Sequence, residues 1–144
     1  MSDDDLGSED LSKTLERAQA AVAALARDYV NWAHADIAAC QSYLDQARLA
    51  PDQRDRHLQE LYGIAHNIKG QGSAFDFPLM TRIGQSLCQL TRYERGAGED
   101  HLDLIARHLQ ALRQVLDNDL RGDGDAGAQD LAAGLEAAVA AERA

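Results

Sequence analysis

Apolar residues recur three and four positions apart along most of this chain, the spacing that one face of an α-helix presents to a core. Leu11, Leu15, Ala18, Val22, Leu25 and Tyr29 form a first stripe, and Val30, Ala33, Ile37, Cys40 and Leu44 a second, with a bend or break expected near Arg27–Tyr29. Pro51 opens a third helix, where its missing N–H would be unpaired in any case. The stripe of that helix is Leu58, Leu61, Ala65 and Ile68. Met80, Ile83, Leu87 and Leu90 mark a fourth helix, with Asp76 expected as its N-cap. Leu102, Ile105, Leu109, Leu112 and Leu116 mark a fifth. Glycine-rich breaks fall at 70–76, 95–98 and 122–127, and no stretch alternates in the manner of a strand.

The fold this implies is all-α. Short connections favour antiparallel neighbours, so the helices between about Tyr29 and Leu120 read as an up-and-down antiparallel four-helix bundle. An additional N-terminal helix is expected alongside it or across one end. Residues 1–8 read as a flexible N-terminus, 9–121 as the bundle, 122–129 as a loop and 130–144 as a short C-terminal helix built on Leu131, Leu135, Ala138 and Val139, its packing undecided.

Composition narrows the function classes. A chain of 144 residues fits one domain and can bury a core without disulfide or metal staples. With aromatics at 5% and two prolines, it favours helices over strands. The net charge of -10 repels phosphate backbones and anionic lipid, which argues against nucleic acid and membrane partners. Cys40 and Cys88 are too few for a disulfide framework or a zinc site and read as small apolar residues. The acidic first ten residues contain no hydrophobic run, and no segment has the roughly 20 apolar residues needed to span a bilayer. The expected location is cytoplasmic.

The third helix carries an anomaly, Ala65-His66-Asn67-Ile68-Lys69-Gly70-Gln71-Gly72-Ser73-Ala74-Phe75. Each glycine inside a helix costs roughly 1 kcal/mol against alanine, and two fall here within one turn. Residues three and four apart share a helical face, so His66 has Lys69 and Gly70 as neighbours and Ser73 two turns on. Ala65 and Ile68 point about 100° away into the core, leaving His66 on the solvent side. Imidazole is nucleophilic near neutral pH because its ordinary pKa is about 6.5. Phosphoryl transfer needs positioning and neutralised oxygens more than further covalent chemistry, and Lys69 can supply the charge. Gly70 would leave room for another protein to approach.

The segment resembles the signature of histidine phosphotransfer (HPt) domains: a His, two residues, Lys-Gly, then small residues and an apolar position. The likeness extends over about Tyr29 to Leu120. It implies that His66 is phosphorylated, that Lys69 neutralises the phosphate and that Gly70 is the clearance position, with Gln71 and Ser73 supporting. Many members have Gly where this chain has Ser73 and Asp76. A polar side chain on the following helix often supports the His, and the matching region holds Gln85, Cys88, Gln89 and Arg92. The resemblance implies a phosphocarrier with no ATP-dependent kinase activity and no cofactor of its own. Its partners would be response-regulator receiver domains carrying Mg²⁺, with a hybrid histidine kinase as a further partner.

Three other readings compete. One is a non-catalytic helical scaffold or interaction module in signalling. A second is a metal-binding bundle using His34, His57, His66, His101 or His108, but none of these has a Glu three residues before it. Apart from His66 they read as surface or boundary residues. A third is a degenerate dimerisation domain of a histidine kinase.

Overall fold

A computed structural model describes residues 3–92 and 96–143 of the chain. Five α-helices follow one another: α1 Asp3–Leu49, α2 Arg54–Gln71, α3 Pro78–Thr91, α4 Glu99–Asp117 and α5 Ala126–Arg143. No strand occurs among the described residues. The chain divides into two compact units, Met1–Trp32 and Ala33–Ala144.

In place of a break near Arg27–Tyr29, α1 is one uninterrupted helix of 47 residues. No Gly or Pro lies between Ser8 and Ala50, so nothing forces the backbone hydrogen bonds apart. What changes there is the phase of the stripe: beyond Tyr29 the apolar positions fall four apart twice, at Ala33 and Ile37, which rotates the apolar face without a kink. Residues 3–8, read from sequence as a flexible terminus, are helical. The stripe from Leu11 to Leu25, expected to pack alongside the bundle or across one end, is exposed.

Within the unit Ala33–Ala144, residues 33–49 run antiparallel to α4. His34 Nε2 lies 3.3 Å from Asp117, Arg113 donates to Gln41 Oε1 at 2.8 Å, and Arg48 donates to Glu99 and Asp103 at 3.0 and 2.9 Å. The core-facing side holds Ala33, Ile37, Cys40, Leu44 and Ala47. At the chain reversals, the Arg54 guanidinium satisfies two carbonyls, Ala47 O at 3.0 Å and Ala97 O at 2.8 Å. Of the 95–98 break, Arg95 lies outside the described residues, while Gly96 adopts a positive φ of 68°.

Helix α3 packs against α2, α4 and α5. Its buried face includes Leu79, Met80, Ile83, Leu87 and Leu90, facing Leu58, Leu61, Ala65 and Ile68 of α2 and Leu102, Ile105, Leu109 and Leu112 of α4. Asp76 is not the N-cap of α3. It takes a left-handed conformation (φ 65°) between a short 3₁₀ turn at Ser73–Phe75 and Phe77, and Pro78 sets the first turn of α3. Asp tolerates this region better than most residues with a Cβ.

The C-terminal region is more ordered than its composition suggests. Asp125 Oδ1 accepts from Ala128 N at 2.8 Å, an N-cap that starts α5 at Ala126 inside the expected loop. Ala128, Ala132, Leu135 and Val139 are buried, whereas Leu131 faces out. Arg82 of α3 donates to Gln129 at 2.6 Å and Glu136 at 2.6 Å, binding α5 to α3.

Two histidines expected at the surface or at the core boundary are buried on α4. His101 Nδ1 lies 2.9 Å from Glu142 of α5. His108 is fully enclosed, with Nδ1 2.8 Å from Leu104 O and Nε2 2.8 Å from Ser86 Oγ. Because a carbonyl can only accept, Nδ1 carries the proton, and Ser86 donates to Nε2. Burial pushes the His108 pKa down, so the unfolded chain binds a proton that the folded chain excludes. Stability is then complete above the ordinary histidine value and lost as pH falls through it, by at most about 1.4 kcal/mol per pH unit for one proton. The urea midpoint should fall between pH 7.5 and 5.5, and His108→Leu should flatten that slope; an unchanged slope in the variant would contradict the assignment.

Candidate functional site

The antiparallel approach of α2 and α3 is unusually close at two places, and a glycine stands at each. A Cβ on Gly84 of α3 would sit 3.0 Å from Lys69 N and 3.1 Å from its Cα. A Cβ on Gly72 would sit 2.7 Å from Phe77 O and 2.8 Å from Thr81 N. At the same end, Thr81 Oγ1 accepts from Ser73 N at 3.0 Å and Ser73 Oγ at 3.1 Å. Ser73, expected beside the His, instead ties the end of α2 to the start of α3.

This contact sets two rows of side chains along one open cleft of about 260 Å³. Tyr62, His66 and Lys69 come from α2, and Gln85, Cys88, Gln89 and Arg92 from α3 and its end. All four residues offered by sequence as alternatives on the helix after that of His66 therefore share a cleft with it. Gln71 and Ser73 do not line it. His66 is exposed, Lys69 half-buried and Gly70 exposed, with open space where a Gly70 side chain would stand. The Tyr62 ring lies one turn before His66, centroids 6.3 Å apart and planes tilted by 54°.

The charged side chains that line the cleft are Lys69 and Arg92. Burial pushes the Cys88 thiol above its ordinary value, against the opposing pull of the Lys69 and Arg92 charges. Cys88 therefore stays a neutral thiol near pH 7. Cys40 is pushed up to about 12 by burial, with Asp36 and Cys88 adding to the shift. Both cysteines are buried and free, as small apolar residues would be. Gln85 holds its Oε1 buried without a hydrogen-bond partner, an acceptor in the wall of the cleft.

The arrangement offers a solvent-facing imidazole, a lysine one turn on and bare backbone beside it. Among the described residues, no cluster of three or more His, Cys, Asp or Glu could hold a metal ion, and no helix is long and apolar enough to cross a membrane. Sequence reasoning missed Tyr62 and Gly84. Gly84 had a signal of the same kind as Gly70, a glycine inside a periodic apolar run between Ile83 and Leu87. Comparison with protein-family models, curated proteins and solved structures finds no match to this chain.

The three glycines should separate by substitution. Gly72→Ala and Gly84→Ala force backbone apart and should each destabilise by about 1–3 kcal/mol, the usual range for overpacking. Gly70→Ala meets nothing and should be neutral or stabilising by up to about 1 kcal/mol. Urea denaturation of the three variants checks the order; equal effects at all three would refute it.

Proposed function

We propose that this chain is a histidine phosphocarrier, accepting a phosphoryl group on His66 from the phospho-aspartate of one receiver domain and donating it to the aspartate of another. On this reading the unit Ala33–Ala144 is an up-and-down four-helix bundle of residues 33–49, α2, α3 and α4, with α5 packed outside it.

The observation that carries the proposal is the exposed His66 ring with Lys69 beside it and open space over Gly70, on a helix that otherwise buries its apolar stripe. An unshared pair on the imidazole attacks phosphorus, the P–O bond of the acyl phosphate breaks, and the receiver carboxylate leaves as a P–N bond forms. The other ring nitrogen keeps its proton through this step. Lys69 screens the equatorial oxygens as a point charge, and Arg92 adds positive potential at the far end of the cleft. The partner's Mg²⁺ would hold the same oxygens from the opposite side. Gln85 lines the same cleft as His66, and its amide oxygen would accept a ring N–H if the two side chains turn toward one another. On this reading the aspartyl phosphate of a receiver, and not ATP, supplies the phosphoryl group and the chemical drive.

Incubation with ³²P-labelled phospho-receivers should give acid-labile, base-stable label on the wild-type protein and none on His66→Gln. Gly70→Gln should cut the transfer rate at least tenfold while the melting temperature is preserved, because the added side chain stands where the receiver must dock. Lys69→Ala should slow transfer with little loss of stability, since a partly exposed Lys contributes little to folding. Absence of label across a panel of receivers, or normal transfer by Gly70→Gln, would sink the proposal.

A further inference from the structure

Helical geometry sets His66 between two unlike flanks. At about 100° per residue, Tyr62 and Lys69 fall about 40° and 60° to one side of it around the α2 axis, and Gly63 and Gly70 about 60° and 40° to the other. The first flank faces α3, where Tyr62, His66 and Lys69 line one cleft with Gln85, Cys88 and Gln89. The second is bare, since Gly63 and Gly70 are exposed and a Cβ at either would meet nothing within 4 Å. We infer that Tyr62 is a positioning residue for His66, its ring holding the imidazole on the cleft side and leaving the glycine side to the incoming phosphoryl donor. The inference deepens the phosphocarrier reading and rests on it for the reaction, while the ring contact belongs to the chain alone.

An exposed histidine on a helix has few orientations open to it. A χ1 near +60° would drive its ring into the preceding turn, and the two remaining rotamers both lean the ring back over the residues three and four positions earlier. For His66 those residues are Gly63 and Tyr62. One rotamer therefore lays the imidazole over bare backbone, and the other sets it against an aromatic ring. The His66 and Tyr62 centroids lie 6.3 Å apart with planes tilted by 54°. Aromatic pairs favour a separation of about 4.5–7 Å, and such a contact biases two otherwise equal rotamers roughly 2- to 10-fold. Tyr62 is half-buried and also lines a second hollow with Thr91 and Arg92 at the end of α3, so the tyrosine is the better-held member of the pair.

Populations, not rotation rates, carry the effect. Exposed side chains change rotamer in picoseconds to nanoseconds, far faster than a docking event, so the rate of transfer scales with the fraction of molecules holding the competent rotamer. Lys69 leans back from the following turn by the same rule that governs His66, and it lies on the same flank as Tyr62. The cleft side then holds the ring and the charge, and the glycine side stays clear. Plain packing of α2 is the competing role for Tyr62, and it predicts a loss of stability with no change in the orientation of His66. The same unit contains a reference pair outside the cleft: Tyr43 and His57 lie 6.2 Å apart with planes at 34°.

Three-bond NMR couplings between the His66 ring carbon Cγ and the backbone N and carbonyl carbon, read on the full chain without any partner, report the χ1 populations. One rotamer should hold roughly 70–90% of the wild type and of Tyr62→Phe, and about half of Tyr62→Ala, while His57 keeps its couplings in all three. Adding Gly63→Phe to Tyr62→Ala moves the ring to the opposite flank and should shift the excess to the other rotamer. Transfer from a labelled phospho-receiver should fall by up to about twofold in Tyr62→Ala and recover in Tyr62→Phe. Unbiased couplings in the wild type, or a bias that Tyr62→Ala leaves intact, overturn the inference. A Tyr62→Phe variant that behaves like Tyr62→Ala also overturns it, by assigning the effect to the hydroxyl. So does a loss of transfer beyond tenfold in Tyr62→Ala, which a rotamer bias cannot produce. A wild type with the expected couplings that takes up no label refutes the phosphocarrier reading and supports the ring contact.

Discussion

The backbone-to-backbone approach of α2 and α3 is the contact on which the candidate site depends. At Gly84 the α3 surface presses on the main chain of Lys69, and at Gly72 the α2 end presses on the main chain at Phe77 and Thr81. These contacts set the distance and rotation between the two helices. His66 and Lys69 therefore face Gln85, Cys88, Gln89 and Arg92 across a cleft instead of standing on unrelated surfaces. A methyl group at either glycine would wedge the rows apart. In this chain the glycines near the site do different work: two admit neighbouring backbone, and Gly70 faces open space.

The electrostatics of the cleft contrast with those of the molecule. The chain as a whole carries a net charge of -10, whereas the two charged side chains that line the cleft, Lys69 and Arg92, are both basic, and burial keeps the Cys88 thiol of the same cleft neutral. Elsewhere in the fold, two buried or half-buried polar side chains are matched to several partners each. His108 is fixed in one tautomer by Ser86 and Leu104, and Arg54 satisfies carbonyls at two reversals.

Periodicity made α2, α3 and α4 legible from sequence because each is amphipathic and bounded by Gly or Pro. It suggests a bend or break in α1 where the helix is continuous, since a change in the phase of an apolar stripe looks like an interruption when only the stripe is followed. The N-cap was assigned to Asp76 because the residue type suits that role. The left-handed turn it adopts instead depends on Pro78 and on the docking of α2 on α3, which are tertiary facts. His101 and His108 fall in step with the apolar residues of α4, three positions before and four after Leu104, and polar identity outweighs that register when only the sequence is followed. Packing of α5 was illegible because its buried face is mostly alanine. The proximity of His66, Lys69 and Gly70 could be read from helical spacing alone. Tyr62 and the opposing wall needed the pairing of two helices.

Helix α3 is gripped by α2, α4 and α5 together, and an element enclosed on three sides has little freedom to shift. The wall it contributes to the cleft is accordingly a fixed template, not an adjustable jaw. Any protein that docks there has to conform to that wall. Discrimination among rival visitors would then reside in the outward-facing residues of α2, where substitutions can accumulate without disturbing the interior.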